Sequence, residues 1–538
     1  MSRFLYWQSL EMRLPNGKVG AGLRDRYRKR LRRYLELASD EAFVQLVWAA
    51  NLLQSGHSTV GLRFLLNVHT NAITEDLASP HHIHKWELET LVNELLVVPK
   101  RTKPIRGQWR HLDCRKYNAL IDILNTLRDL ENSEAGIKLR HMDVFKEMPR
   151  IAARQFDWQR GWANIPQFYR STFIYGQGRS AEYFESTHGL TVNEFSLIGF
   201  ALYALLNKQP VANRTMDFGN LPLSQEKYHA ALRLLALPKS EAQLLARSIR
   251  RRHWPIAYQP SVLRRFPCLI FGGESFRIRS PLPQLILERV TSGIFYDIVD
   301  GPGDVRDEYG RRFEQYAFHY LCAMLPSIPW REEYGYRWRK AETKSPDILW
   351  IAGQQARIAF ECKATRMSID ARFADDPLSE RGYNDIVKAV FQLWRYFSHC
   401  RRGLTGYEAH EKATGVVLTL DSWLLMGSSL IDDLMEKAIA MAADKDPDIT
   451  PEDRKPILFC AMTDLEETLA TADAETFEAA IDLAVAEERQ GWKLSSSLDE
   501  VRPENVASKA FPFKERMGDL LPWRDWIEDE RKRRTNQL

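Results

Sequence analysis

The sequence predicts a mixed α+β protein: a large helix-rich N-terminal region, an α/β core after it, and a helical, acidic C-terminal segment. Apolar residues recur at helical spacing through about the first 265 residues. Short apolar runs broken by glycine and proline begin near Phe266, and strand-like alternation follows. Between Ala461 and Ala510 twelve acidic residues stand against four basic ones.

The N-terminal helices are the plainest element. Phe43–Leu53, Trp86–Leu96 and Leu120–Leu130 each carry an apolar stripe of helical period. Thr191 with Glu194 forms a capping box ahead of an apolar helix, and Ser240 with Gln243 repeats the pattern after Pro238. Gly272, Gly273, Pro281 and Pro283 then break up the chain, and the loop Asp300–Asp304 marks a boundary. Beyond it the order is helix, three strands, helix, strand, an α/β pattern. The expected layout is therefore a helical region 1–265, open to division into two subdomains, a connecting segment 266–300, a core 301–465 and a helical extension 466–538. That extension ends in a basic tail from Arg531. Its acidic stretch is expected to form a solvated helix face or a protein contact.

Composition narrows the function classes. With 44% hydrophobic and 27% charged residues in 538, large-scale disorder is excluded. A formal charge of +4 excludes a uniformly basic nucleic-acid coat, so any polyanion site must come from local clustering. Six cysteines (Cys114, Cys268, Cys322, Cys362, Cys400 and Cys460) stand singly, which fits reduced thiols better than a disulfide frame or a structural zinc site. The N-terminus lacks the apolar core of a signal peptide. The longest apolar run, Leu197–Leu206, is too short to span a bilayer and reads as a buried helix. The expectation is a cytoplasmic protein without a membrane segment. No Walker-A loop or dinucleotide fingerprint is present, so no ATP site is expected.

The chemistry-bearing set lies between Ser345 and Lys363. The segment reads as two strands joined by a tight turn at Gly353-Gln354-Gln355. Period two puts Glu361 and Lys363 on one face, away from the apolar one, while Asp347 opens the preceding strand just after Pro346. Two carboxylates at one locus suit a hard divalent cation, Mg²⁺ or Mn²⁺. Lys363 is placed to act as a base or as a stabiliser of phosphorane charge, and spacing leaves both roles open. Glu314 lies at the edge of the apolar stripe of a helix over 308–325. A later helix buries Val387, Val390, Phe391, Trp394 and Phe397 and presents Lys388, Gln392 and Arg395 together, a face suited to phosphates.

In this order, Glu314, Pro346-Asp347, Glu361-Cys-Lys363 and a helix with Lys388 and Gln392 resemble the PD-(D/E)xK nuclease superfamily. The resemblance covers about residues 301–425. It implies a restriction-endonuclease-like core with Glu314, Asp347 and Glu361 on the metal, Lys363 activating or stabilising, and Gln392 like the helix glutamine of RecB-like members. It also implies nucleic acid as substrate, DNA ahead of RNA, and a bacterial restriction, repair or antiviral-defence role. The helical region would then select substrate, regulate, or dock a partner protein or a second copy.

Other features weigh less. Arg24, Arg28 and Arg32 lie in a basic run interleaved with Tyr27, and Arg251 in a second patch. Each is either a phosphate-backbone contact or a basic face packed on acids. His81, His82 and His84 lack metal-ligand spacing and read as a surface loop before a helix. Two competing functions stand beside the nuclease: a catalytically silent nucleic-acid-binding or scaffold subunit with the same fold, and a protein-interaction regulator.

Overall fold

Unbroken apolar periodicity becomes helix throughout the N-terminal half. The computed structural model describes residues 17–101, 111–138, 144–162, 164–219 and 221–525. The basic tail from Arg531 and the first 16 residues, on which the expectation about a signal peptide falls, lie outside the described residues. The chain forms two compact units, each built from separate segments. One comprises Met1–Asp143, Arg154–Ala163 and Glu185–Ile294; the other comprises Val144–Ala153, Asn164–Phe184 and Phe295–Leu538. The chain thus leaves the first unit and returns to it, and 466–538 belongs to the same unit as the core.

In the first unit the three apolar stripes lie in helices Asp40–Leu53, Lys85–Val97 and Tyr117–Lys138, with Phe43, Leu46, Leu91, Leu95, Leu124 and Leu127 buried. Thr191 caps helix Val192–Leu206: its hydroxyl accepts the Glu194 N–H at 3.1 Å and the Glu194 carboxylate accepts the Thr191 N–H at 2.7 Å. Leu197, Ile198, Leu202 and Leu206 are buried on it. Among the described residues no single helix is long and apolar enough to cross a membrane.

Three expectations need correction here. The second capping box does not form. Pro238 is the N-cap of helix Lys239–Ile249, with Ser240 inside it, because Ala236–Pro238 is held as a strand parallel to Cys268–Phe271. Arg277–Arg279 pairs antiparallel with that strand, so the start of the supposed connector builds this unit's sheet. The histidine segment is a loop before a helix with His81 exposed, as expected, but it does not lie wholly at the surface. His82 is buried, and burial pushes its pKa down to about 4. His84 is the N-cap of helix Lys85–Val97 and stacks on Trp86 at 4.2 Å.

The second unit is built on α1 (Gly303–Met324), β1 (Trp330–Glu332), β2 (Ile348–Ala352), β3 (Gln355–Lys363), α2 (Arg381–Arg401), β4 (Glu408–Thr419), α3 (Ser428–Lys445) and β5 (Ile457–Ala461). The strands form one mixed sheet ordered β5-β4-β3-β2-β1. β3, β4 and β5 run parallel, while β2 is antiparallel to both its neighbours. β3 is the central strand. Leu349 and Ala359 pack under α2 and α3 with Val390, Trp394, Phe397 and Leu434. On the other face Phe360 meets Trp330 edge-on at 5.9 Å and α1 packs against β3. Strands covered on both faces read as apolar throughout.

The acidic segment folds into α4 (Met462–Leu469), α5 (Ala474–Ala484) and α6 (Leu494–Val501). It is not only a solvated face. Glu466 is buried, accepts the Tyr316 hydroxyl at 2.6 Å and pairs with buried Arg170. Glu478 and Asp482 hold Arg357, and Asp464 accepts the Leu494 N–H at 2.7 Å. Glu466, Glu478 and Asp482 neutralise arginines far away in sequence, which a local charge count does not reveal.

Candidate active site

Placement of the site starts with Ser345 and Pro346. The Ser345 hydroxyl accepts the Tyr334 N–H at 3.0 Å and the Ser345 N–H donates to the Tyr334 carbonyl at 2.9 Å. Pro346 has no N–H for a ladder, so pairing with β3 begins after it. The connection from β2 to β3 is a two-residue turn, Gly353-Gln354, since Gln355 already pairs with Ala352. Gly353 has φ of +64°, where a residue without Cβ fits without strain.

A bulge then decides which side chains meet. Next to the turn Ala352 faces Gln355 and Ile351 faces Ala356, but beyond it Trp350 faces Ile358 and Ile348 faces Phe360. Arg357 is the extra residue. Continued one step, the shifted register sets Asp347 opposite Glu361. Without the bulge Asp347 would oppose Phe360 and project from the other face.

The contacts agree with this register. An Asp347 carboxylate oxygen accepts the Cys362 N–H at 2.6 Å. Lys363 Nζ lies 2.7 Å from Glu361 Oε1 and 3.3 Å from Gln392 Oε1 on α2. Asp347, Glu361, Lys363 and Gln392 therefore converge. The face that carries Glu361 and Lys363 is expected to lie away from the apolar one, but it also carries the core residues Ala359 and Leu349, and Glu361 is only 4% exposed because α2 covers this side of the sheet. Glu314 reaches the same end from α1. It is half-buried and has no hydrogen-bond partner among the described residues.

The electrostatics are those of crowded acids. Burial, then Glu361 and Glu314, push the Asp347 pKa well above the ordinary carboxylate value. Burial, then Glu333 and Glu361, raise that of Glu314. Burial disfavours the Lys363 ammonium, but Glu361 and Asp347 outweigh it and the Lys363 pKa is raised. Lys363 is therefore a cation in the resting site. Among the described residues no group of three or more His, Cys, Asp or Glu side chains is set to hold a metal ion, so Glu314 does not complete a cage with Asp347 and Glu361. The remaining donor set, two opposed carboxylates with unbalanced charge, fits Mg²⁺, which takes one or two protein carboxylates and completes its shell with water and phosphate oxygens.

The other candidate side chains do not join this group. Lys388 is exposed, 3.4 Å from Asp385, and the Arg395 guanidinium lies over the Phe391 ring at 5.5 Å. In the first unit, Arg28 pairs with Glu134 of helix Tyr117–Lys138, Arg32 with Glu36 one turn on, and Arg24 lies 3.4 Å from Asp25. Glu134 meets the basic helix there, and Asp122 and Asp129 of Glu134's helix act on Arg30. Arg251 is exposed, its backbone N–H bonded to Gln259 at 3.0 Å. Sequence reasoning missed Glu333 and Lys344, a pair at 2.7 Å whose charges act on Glu314 and Asp347. No spacing rule links 333, 344 and 314; only the fold does. It also missed Asp421, just past β4, which pairs with half-buried Arg366 at 2.6 Å and accepts the Met367 N–H at 2.9 Å, fixing the chain that leaves β3.

Comparison with protein-family models, with curated proteins and with solved structures returns no match.

Proposed function

We propose that the second unit is a metal-dependent nuclease of the PD-(D/E)xK kind, hydrolysing phosphodiester bonds in nucleic acid. The observation that carries the reading is the register-matched pair Asp347 and Glu361 with Lys363 at 2.7 Å from Glu361. A non-catalytic binding module gains nothing from three acids gathered where a phosphate would sit, since they repel it.

Asp347 and Glu361 would hold Mg²⁺ or Mn²⁺, which when bound supplies Lewis acidity and lowers the pKa of a water molecule. Asp347 is held in place by the Cys362 N–H, so its free oxygen has one orientation. Lys363, protonated at rest, is suited to stabilise negative charge on the phosphoryl oxygens rather than to take a proton. Gln392 holds the ammonium from the α2 side. DNA is the first substrate to test and RNA the second.

The test is cleavage of single-stranded and duplex DNA and RNA by the full chain with Mg²⁺, with Mn²⁺ and with EDTA, beside Asp347→Ala and Lys363→Ala. Cleavage that needs the metal and is lost in both variants is expected. Metal-independent binding without cleavage would move the protein to the silent-subunit reading.

A further inference from the structure

The basic helix Gly17–Leu37 of the first unit has two unlike sides. Leu31 and Leu35 are buried, and the helix packs on helix Tyr117–Lys138. Seven of the ten residues from Arg24 to Arg33 are basic, and the helix holds only two acids, Asp25 and Glu36. Both are taken. Asp25 lies 3.4 Å from Arg24, and Glu36 lies 2.8 Å from Arg32 and 3.8 Å from Arg101. Arg28, on the same face as Arg24 and Arg32, pairs with buried Glu134. The arginines that the sequence singled out thus lie on the side whose charge is spent within the protein.

Arg26, Lys29 and Arg33 are different. At i, i+3 and i+7 they share another face of the helix. All three are exposed, and none has an ion-pair partner among the described residues. Arg30 stands at i+4 in the same row but is drawn toward the neighbouring helix. It donates to the Tyr34 hydroxyl at 3.4 Å, and Asp122 and Asp129 act on it. A rise of about 1.5 Å per residue spreads the three free cations over about 10 Å, close to one per helical turn. No packing contact explains this row. Like charges three and four residues apart destabilise the helix that carries them, and only a partner of opposite charge offsets that cost.

We infer that Arg26, Lys29 and Arg33 form a track for the sugar-phosphate backbone of a nucleic acid, bound through charge and without regard to base sequence. The regularly spaced negative charge of a phosphate backbone complements a row of cations at constant spacing. Two of the three are arginines, whose planar forks take phosphate oxygens in pairs. A lipid surface fits less well. A helix lying in a membrane interface gives its apolar face to the lipid, and here that face is buried. The inference rests on the nuclease reading for its ligand class and adds a substrate-holding surface on the first unit.

The test uses full-length Asp347→Ala protein in EDTA, so that binding is read apart from cleavage. Fluorescence polarisation follows labelled single-stranded and duplex oligonucleotides of DNA and RNA over about 50–200 mM salt. The stripe variant adds Arg26→Gln, Lys29→Gln and Arg33→Gln. A control variant removes the same charge at exposed positions elsewhere, with Lys208→Gln, Lys340→Gln and Lys514→Gln. The stripe variant should bind at least about tenfold more weakly at about 0.1 M salt, whatever the base sequence. Its slope of log K against log salt should fall by about 2–3, as for three lost phosphate contacts. The control should leave both nearly unchanged. All six side chains are exposed, so both variants keep the fold, which circular dichroism checks. A slope unchanged in the stripe variant, an equal loss in the control, or no nucleic-acid binding at all would each overturn the proposal. Stripe-dependent binding of phosphatidylserine vesicles or polyglutamate in place of nucleic acid would overturn it too. Wild-type protein that cleaves while the stripe variant binds equally well would reject the track and keep the nuclease. Stripe-dependent binding by a protein that cleaves nothing would keep the track and reject the nuclease.

Discussion

At its start β3 carries Arg357 and at its end Glu361 and Lys363, all drawn out of bulk water, yet their surroundings differ. Arg357, 1% exposed, donates to Glu478 at 2.7 Å, to Asp482 at 2.5 Å and to the Lys412 carbonyl. Its planar fork is met on each side by an acceptor, as a structural buried charge requires. At the other end three carboxylates share one ammonium and raise the pKa of Asp347 and Glu314. Such crowding destabilises the fold locally, and that imbalance is what a site for a cation and a phosphate needs. The two ends are also linked, because Arg357 is the bulged residue whose insertion turns Asp347 toward Glu361.

The largest expected effects test the end of the strand. Asp347→Ala and Lys363→Ala should each lower cleavage by about 10²–10⁴-fold, the range for removing a group that acts on the transition state. Steady-state rates on an oligonucleotide substrate measure this, and a loss under tenfold in both would break the comparison. Arg357→Met tests the other end. It removes a buried guanidinium from two partly exposed carboxylates and leaves the Lys412 carbonyl without its donor, and should cost about 1–3 kcal/mol in urea denaturation.

A smaller effect concerns pH. The Asp347 pKa is raised in the folded state, so the native protein holds a proton that the unfolded chain has released. Stability therefore falls as pH rises from the ordinary carboxylate range toward the raised value. In EDTA, Asp347→Asn should melt at least about 2 °C above the wild type at pH 8, with the gap closing below pH 4. Calorimetry at the two pH values checks the sign, and Mg²⁺ should raise the wild-type Tm at pH 8 but not that of the variant. Smallest is Gln392→Leu, which removes the hydrogen bond to Lys363 Nζ at 3.3 Å. A drop of about three- to tenfold in cleavage rate is expected from one lost hydrogen bond to a charged group.

Most helices were legible because their signals are local. The stripe through Phe43–Leu53, the box at Thr191 and Glu194, and the alternation before Lys363 each lie within one element. Ser240 misled because its box pattern is also local, while the strand Ala236–Pro238 that overrides it is set by pairing with Cys268–Phe271. The loop at His81–His84 was legible too, but the burial of His82 within it was not. Burial of His82 depends on its neighbours in space, and the sequence around it reads as polar.

The sequence by itself determined which side chains the site contains. Aspartate after proline, Glu-x-Lys at period two and a glutamine on an amphipathic helix are facts of order and spacing. Tertiary structure alone decided that Asp347 and Glu361 share a face, because that depends on one bulged residue held by Glu478 and Asp482 from a helix over a hundred residues later. It also decided that this face lies beneath α2. Side-chain period is local, whereas strand register and burial arise from contacts between distant segments.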